Sequence, residues 1–398
     1  MLKWMMLAVY ILLSAFVLGN AFVWYRKIHV KVMWKIKLVT VLIWIMLASS
    51  IMVGKVISGS EFQRAVLKFG NYWLAFFIYA VFFIVVADLI ILFLWLIRNR
   101  FPKLKNLMAK RRFHAGFGGM VILCTIAFTV YGAFHAEKIT TSEYNLKVNK
   151  KCGNMKELNL VLVSDLHLGY SVGCKEMRNM VDMVNDMDAD IIVIAGDIFD
   201  NEYEALDNPD ELIKILSGLK SKMGTYAVYG NHDVEEVLVG GFPISSFRNA
   251  LRDKRMDEFL EKCNINVLED ESVLIEDSFY LVGRLDGERT GYGTMKRKSV
   301  KELTENLDKE KPLFFINHEP NHLDDYEKCG TDIVLSGHTH AGQFFPLTIV
   351  QPFAWENYWG VIKKGDMYSA VTSGIGVYGP DIRVFTDSEI MKLKIEFN

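Results

Sequence analysis

Residues 158–167 have the sequence LNLVLVSDLH, in which an apolar run is followed directly by two residues of metal-binding type. The run Leu158–Val163 is short and almost wholly apolar, which is typical of a buried β-strand. Asp165 and His167 follow where the predicted strand stops. Because α/β folds build their sites at the carboxyl ends of strands, this stretch predicts both a strand and the start of a site.

The same arrangement recurs four more times along the chain. Short apolar runs predict further strands at Ile191–Ala195, Tyr226–Tyr229, Leu313–Ile316 and Ile333–Leu335. The motifs that follow them are Gly196-Asp197 with Asp200, Gly230-Asn231-His232-Asp233, Asn317-His318-Glu319 and Gly337-His338-Thr339-His340. Between the early runs, residues 177–187 and 211–219 show the 3.6-residue apolar period of helices. Strands that alternate with helices predict an α/β domain.

The residues at the strand ends have the composition of a metal site. Asp165 and His167 are two residues apart, as are His338 and His340, and a two-residue step in extended chain places both side chains on one side. Carboxylate, imidazole and amide ligands together suit Mn, Fe or Zn better than Ca or Mg. One tetrahedral zinc needs fewer ligands than these, so we expect two metal ions. A single His at a strand end is more often structural, but five such motifs in succession favour a site.

The order D-x-H, G-D-x-x-D, G-N-H-D, H and G-H-T-H resembles that of the calcineurin-like metallophosphoesterases over about residues 157–397. The resemblance implies a four-layer α/β/β/α sandwich of two mixed sheets flanked by helices. It implies that one divalent metal is held by Asp165, His167 and His340, a second by Asn231, His318 and His338, and that Asp197 bridges both. Mn is the first choice for both metals, with Fe or Zn as alternatives. His232 would then be the catalytic histidine that acts on the leaving-group oxygen, with Asp233 orienting it, and Asp200 would support a ligand or be structural.

Three further motifs narrow the resemblance. They are His318-Glu319-Pro320, the extension Ala341-Gly342-Gln343 after His340, and Ser373-Gly374-Ile375-Gly376 followed by Arg383. Together they look like the membrane-anchored bacterial branch, which includes enzymes similar to UDP-2,3-diacylglucosamine pyrophosphohydrolases. Ala341 departs from that branch, which usually has Gly at this position.

The chain divides into two regions of opposite charge. Residues 1–136 contain sixteen Lys/Arg and two acidic residues, a balance of +14, whereas residues 137–398 contain 29 Lys/Arg and 45 acidic residues, a balance of −16. Such an asymmetry indicates two regions in different surroundings. The long apolar runs of the first region exclude a wholly soluble or disordered chain, and we expect no nucleic-acid partner. The five cysteines form no disulfide framework.

Four apolar stretches are long enough to cross a bilayer core, which needs roughly 20 helical residues. They are approximately Trp4–Tyr25, Leu38–Gly54, Tyr72–Ile97 and Phe117–Phe134. We therefore expect a membrane region over residues 1–136, a linker and entry strand over 137–156, and a metallophosphoesterase domain over 157–398. Asp88 lies inside the third stretch and should face other helices or lie near the boundary, because a carboxylate in lipid is costly.

The loops predict how the chain is oriented in the cell membrane. The loops after the first and third stretches carry twelve Lys/Arg, whereas the opposite side carries four. Positively charged loops stay in the cytoplasm, so four crossings would place the acidic domain outside it. This orientation requires the second, shorter stretch to span.

These features together predict a membrane-anchored phosphoesterase. A metal-bound hydroxide would attack a phosphomonoester, phosphodiester or pyrophosphate bond, with His232 assisting the leaving group. The apolar segments Val237–Phe247 and Phe344–Tyr358 follow ligand motifs, where they favour a lipid-linked substrate or, equally, serve as core packing. Two other classes stay open: a non-catalytic metal-binding scaffold, which the complete set of ligand positions disfavours, and a membrane sensor or transporter with a regulatory hydrolase domain.

Overall fold

The computed structural model describes residues 2–28, 34–57, 61–236, 238–239, 242–243, 250–287 and 289–398. The chain divides into two compact units, of which the first contains residues 1–133, 239–244 and 379–382 and the second contains the rest. Most of Val237–Phe247, one of the two segments expected near the substrate, lies outside the described residues. Only the two-residue strands within it are described.

The first unit is helical. Its helices are α1 Leu2–Lys27, α2 Trp34–Ala48, α3 Ser50–Val56, α4 Glu61–Ile97, α5 Pro102–Met108 and α6 Arg111–Ala136, the last three residues of α6 belonging to the second unit. Helices α1, α4 and α6 are each long and apolar enough to cross a bilayer. Helices α2 and α3 pass the same test only as a pair, which is bent by 47°. The described residues therefore supply three spans, or four if the bent pair crosses as one.

Polar groups of this unit find partners among its helices. Trp73 of α4 is buried, and its Nε1 donates a hydrogen bond of 3.0 Å to the hydroxyl of Tyr10 on α1. Asp88 of α4 lines a cavity between α1, α4 and α6 together with Lys27 and His114. The intramembrane carboxylate thus has polar neighbours, as the cost of placing it in lipid requires.

The second unit contains two mixed six-stranded sheets. The strands are β1 Ile139–Val148, β2 Glu157–Val163, β3 Ile191–Ala195, β4 Thr225–Val228, β5 Leu238–Val239, β6 Phe242–Pro243, β7 Ile265–Val267, β8 Glu271–Ile275, β9 Phe279–Gly283, β10 Leu313–Ile316, β11 Ile333–Ser336, β12 Gly360–Lys364, β13 Met367–Val371 and β14 Ser388–Phe397. The first sheet has the order β1-β14-β2-β3-β4-β7 and the second β12-β13-β11-β10-β9-β8. Strands β5 and β6 form a separate short pair, of which Val239 and β6 are assigned to the first unit. The helices are α7 Cys174–Asn185, α8 Pro209–Leu216, α9 Lys254–Lys262, α10 Val300–Thr304, α11 Leu323–Lys328 and α12 Leu347–Ala354.

Strand β2 shows why its sequence is an almost unbroken apolar run. Leu160 and Leu162 lie in a core shared with Phe314 of the second sheet, whereas Val161 and Val163 lie in a core shared with α7 and α8. Both faces of β2 are therefore buried, so both sets of alternating side chains are apolar. The five strands predicted from such runs all form, each within one residue of the expected ends.

The parallel strands bring their carboxyl ends to one edge of each sheet. Strands β2, β3, β4 and β7 run parallel, as do β9, β10, β11 and β13. The residues that follow β2, β3, β4, β10 and β11 are those that the sequence singled out. Strand β1 begins at Ile139 within the expected linker, pairs with β14 along its ten residues and forms the edge of the first sheet.

Candidate metal centre

The predicted ligand residues form two groups, each with its ligand atoms within 4.8 Å of one another. The first group is Asp165, His167 and His340, and the second is Asp197, His318 and His338. The Asp197 Oδ2 lies between them, 3.1 Å from the His318 Nε2 and 3.8 Å from the His167 Nε2. Asn231 joins the second group, because its Oδ1 is 2.9 Å from the His338 Nδ1. The structure thus brings together all seven side chains that the sequence proposed as ligands.

The surroundings of these side chains favour a positive charge at the centre. The His318 Nδ1 donates to the Ala195 carbonyl oxygen at 2.7 Å, so the Nε2 is the atom that faces the Asp197 carboxylate. Burial opposes protonation of His318, but Asp197 and Asp165 raise the pKa of His318 well above its ordinary value. Two more ring nitrogens, the Nε2 atoms of His167 and His340, face each other at 3.1 Å. Convergent lone pairs of this kind fit divalent metal ions.

The backbone of the ligand loops differs from the expected extended chain. Asp165, His167, His338 and His340 all have positive φ angles, between 46° and 70°. His338 and His340 also contribute to different groups. The expectation that each two-residue pair lies in extended chain is therefore wrong. Left-handed backbone is costly for residues with side chains and is concentrated at functional sites, where the surroundings hold it in place.

Gly337 permits the closest approach between two ligand loops. A Cβ atom at this position would lie 1.9 Å from the Ser164 Oγ and 2.3 Å from the Asp165 Oδ2. The next backbone N–H, that of His338, instead donates to both Asp165 oxygens at 3.1 Å. Only glycine fits at this position, because the two loops approach so closely.

His232 is held by a residue that the sequence analysis did not consider. Its Nδ1 lies 2.6 Å from the Asn201 Oδ1, and the Asn201 Nδ2 donates to the Val234 carbonyl oxygen at 2.9 Å. The amide orientation is thereby fixed, so the His232 Nδ1 is the donor and its Nε2 faces away from Asn201. Burial lowers the pKa of His232 to about 4, and the ring is neutral at pH 7.

Asp233, which was expected to orient His232, forms hydrogen bonds with two backbone N–H groups. Its Oδ1 accepts the Phe199 N–H and its Oδ2 accepts the Gly230 N–H, both at 2.7 Å. The carboxylate thus joins the loop after β3 to the loop after β4, and the residue that orients the His232 ring is Asn201. The sequence offered a weak sign of this, because Asn201 follows the Asp197–Asp200 motif directly.

Asp200 lies beside a ligand without a hydrogen bond to it. Its Oδ1 is 3.8 Å from the His167 Nδ1, and both atoms are buried. Burial opposes protonation of His167, but Asp200 and Asp197 raise the pKa of His167. This electrostatic contact is consistent with the expectation that Asp200 supports a ligand.

Three more residues near the centre were not given roles from the sequence. The Arg289 Nη1 donates to the Asn231 carbonyl oxygen at 2.9 Å and lies 3.0 Å from the Glu236 carboxylate. The ring of Tyr378 is 4.5 Å from that of His232. Arg383 is fully buried and donates to backbone carbonyls of residues 373–376.

Comparison with known proteins agrees with this geometry. Residues 158–342 match the family of calcineurin-like phosphoesterases. A metallophosphoesterase of Aquifex aeolicus is 30% identical over 245 residues, which cover 60% of this chain and 85% of that protein. The chain belongs to the calcineurin-like metallophosphoesterase family. Members of this family use divalent metals to hydrolyse phosphoesters, so the chain is a phosphoesterase with a metal-binding site.

Two other metallophosphoesterases extend the comparison. A transmembrane protein with a metallophosphoesterase domain from Danio rerio is 29% identical over 339 residues, 82% of this chain and 74% of that protein. A metallophosphoesterase of Helicobacter pylori is 31% identical over 246 residues, 60% of this chain and 60% of that protein. The apolar helices and the similarity to the Danio rerio protein both support membrane association.

Proposed function

We propose that this metallophosphoesterase is membrane-anchored and hydrolyses its phosphoester with two metal ions. The observation that carries the proposal is the position of Asp197, whose carboxylate lies between two groups of ligands. Asp165, His167 and His340 would hold one ion, and Asn231, His318 and His338 the other, with Mn as the first choice and Fe or Zn as alternatives. The four-layer arrangement implied by the resemblance is part of the proposal, and the cores on both faces of β2 support it.

Two bound ions would supply a nucleophilic water at neutral pH and neutralise charge on the phosphoryl oxygens. The chain's own residues fix where this happens. The Asp197 Oδ1 accepts a hydrogen bond of 2.8 Å from the backbone N–H of His232, so the shared ligand and the catalytic histidine are joined directly. Asn201 keeps the proton of His232 on Nδ1, which leaves Nε2 to exchange a proton with the leaving-group oxygen. A bound phosphoryl anion favours this step, because a nearby negative charge stabilises the protonated ring.

Two variants and a matched control test this assignment in the full-length protein. Asp197→Ala should lose both activity and most bound metal, whereas Asp188→Ala, at an exposed carboxylate, should lose neither. His232→Ala should retain the metals and lose about 10²-fold or more in kcat, as expected for a group that transfers a proton. Metal content and hydrolysis of phosphomonoesters, phosphodiesters and lipid pyrophosphates are measured together. Unchanged turnover of His232→Ala would refute the role of His232, and a metal-loaded wild-type chain without activity would favour the scaffold alternative.

The substrate is proposed to be membrane-borne. Trp355, just after α12, lies with its ring 5.2 Å from that of His338, so apolar side chains extend from the centre to the surface. Each acyl methylene buried there would add about 0.8 kcal/mol of binding free energy. The tail motifs support the same proposal, since they resemble the branch that includes UDP-2,3-diacylglucosamine pyrophosphohydrolases.

The lipid preference is tested by comparing kcat/KM for lipid-linked and short-chain forms of one phosphoester. Trp355→Ser and Phe345→Ser should lower kcat/KM for the lipid-linked form alone. Equal values for the two forms, together with no effect of either substitution, would leave these side chains with a packing role only.

The catalytic unit is proposed to lie outside the cytoplasm. Twelve Lys/Arg that follow the first and third predicted apolar stretches, against four on the other side, support this orientation provided that the bent α2–α3 pair crosses the bilayer. A reporter enzyme that is active only outside the cytoplasm should be active when fused after Asn398. Activity of a cytoplasm-only reporter at the same position would show that the second stretch does not span or that the charge rule has been misread.

A further inference from the structure

Helix α12 of the catalytic unit has the composition of a buried helix but lies at the surface. Its sequence is LTIVQPFA, without a charged residue, and none of its eight residues is buried. Leu347, Ile349, Val350 and Phe353 are exposed, the last to 87%. At 100° per residue these four side chains occupy about 160° of the helix circumference, so they form one face.

A fifth apolar side chain extends this face from another part of the chain. Phe385 is 65% exposed, and its ring lies 5.8 Å from that of Phe345, two residues before α12. Backbone bonds fasten the two stretches together, since the Phe345 N–H donates to the Val384 carbonyl oxygen. We call Leu347, Ile349, Val350, Phe353 and Phe385 the α12 face. Contiguous exposed apolar surface of this kind marks an interaction site.

The end of a membrane-spanning helix is fastened to the same segment of the chain. The Ala136 carbonyl oxygen, at the end of α6, accepts a hydrogen bond from the Ser388 Oγ at 3.1 Å. The His135 Nε2 lies 2.8 Å from the Asp387 Oδ1. Phe385 is two residues from Asp387, a reach of at most about 7 Å. Phe385 of the α12 face therefore lies close to the last residues of α6.

A surface cleft gives a second measure of this proximity. It is lined by Thr140 of β1, Thr348 of α12 and Phe385, among others. Strand β1 begins three residues after Ala136, so little chain separates the end of α6 from the cleft and from α12.

We propose that the α12 face dips into the interfacial layer of the membrane that α6 spans. Apolar side chains without charge suit this layer, where interfacial helices lie about 5–10 Å deep at the headgroup and acyl boundary. Trp359, exposed and just after α12, is of the residue type enriched at that level. The contact does not depend on which phosphoester is hydrolysed.

The α12 face and the metal centre form one continuous piece of structure. The Thr339 Oγ1, between the two ligand histidines, donates to the Tyr358 carbonyl oxygen at 2.6 Å. Trp355 packs on His338 from the other end of the same segment. Membrane contact by α12 would therefore hold the centre at the bilayer surface.

The test places an environment-sensitive label on the α12 face of the full-length protein. Val350→Cys is labelled with a nitrobenzoxadiazole dye after the three half-buried cysteines of the chain, Cys124, Cys174 and Cys329, are replaced by Ser. The protein is placed in nanodiscs of phosphatidylethanolamine and phosphatidylglycerol, with and without doxyl-labelled lipid. Leu274→Cys is the matched control, because Leu274 is also an exposed apolar residue but lies on β8, at the opposite edge of the second sheet from β12.

Lipid-borne doxyl groups should quench the label at position 350 and leave the label at position 274 unchanged. Phe353→Asp in the same background should reduce that quenching, while hydrolysis of a soluble phosphomonoester shows that the centre remains folded. Equal quenching at both positions, or none at position 350, would overturn the proposal. Label-to-label quenching between protein copies without lipid quenching would assign the face to a second copy and overturn it as well. None of these outcomes depends on whether the natural substrate is a lipid.

Discussion

Replacing Arg383 by methionine should destabilise the catalytic unit strongly. The side chain is fully buried, and burial lowers its pKa to about 10, so it remains charged at neutral pH. Its guanidinium donates to the buried carbonyl oxygens of Ser373 at 2.7 Å, Gly374 at 3.1 Å and Gly376 at 2.8 Å. The Gly376 N–H in turn donates to the Asp165 carbonyl oxygen at 2.7 Å. Arg383 therefore supports the loop that holds a proposed metal ligand.

The size of the effect follows from these contacts. Methionine would leave three buried carbonyl groups without this donor, at about 1–3 kcal/mol each. Removal of a buried cation returns part of that free energy, because the guanidinium no longer has to be desolvated. We expect a net loss of about 3–5 kcal/mol in the free energy of unfolding. At about 2–4 °C per kcal/mol for a unit of this size, the melting temperature should fall by roughly 10 °C.

The measurement is thermal unfolding of the full-length protein in detergent with a chelator present, so that metal binding does not contribute to stability. The matched control is Arg255→Met, at a half-exposed arginine paired with Asp253 and Glu204. Surface ion pairs contribute only about 0–1 kcal/mol, so this variant should melt close to the wild type. A shift for Arg383→Met no larger than that for Arg255→Met would refute this account of the buried arginine.

Three further predictions concern single groups. Gly374→Ala should weaken metal binding, because φ is +77° and a Cβ atom would lie 2.6 Å from the Asp165 Cβ. The control Gly330→Ala, with φ of +81° and open space around it, should cost only backbone strain. Bound metal is measured in both variants. Asn201→Ala should retain the metals but lower kcat at least about 10-fold, because His232 loses its orienting partner. Two unpaired thiols are buried, Cys152 and Cys263. Since burial raises the pKa of both to about 12, maleimide should label Cys329 in the native protein and these two only after unfolding.

The sequence predicted the strands of the catalytic unit well because burial on both faces leaves a distinctive pattern. Ile191–Ala195 and Leu313–Ile316 are buried throughout, and the structure has the same ends for both. It also predicted which side chains would meet, since parallel strands end at a common edge. The backbone conformation at that edge could not be derived this way. Asp165 and His340 adopt left-handed φ angles that only the completed surroundings impose.

Contacts between distant loops explain most of what the sequence missed at the centre. Asn201 and His232 are 31 residues apart and meet only after β3 and β4 pair. Asp233 follows His232 directly in the chain and was therefore expected to orient its ring. The Asp233 carboxylate instead accepts hydrogen bonds from two backbone N–H groups. Hydropathy likewise recognised the apolar stretch at residues 38–54 but not the bend between α2 and α3, because apolar composition continues through it.

The composition of helix α12 does not predict whether the helix is buried or exposed. Its apolar sequence is equally compatible with core packing and with a surface helix, so residues alone left both possibilities open for Phe344–Tyr358. The structure leaves α12 without a buried residue, and an exposed apolar face is an aggregation hazard for a protein in water. A bilayer that covered the face would remove this hazard, and α6, a candidate membrane span, ends three residues before β1 begins. The membrane region recognised in residues 1–136 thus offers a physical reason for an apolar helix more than 200 residues later in the chain.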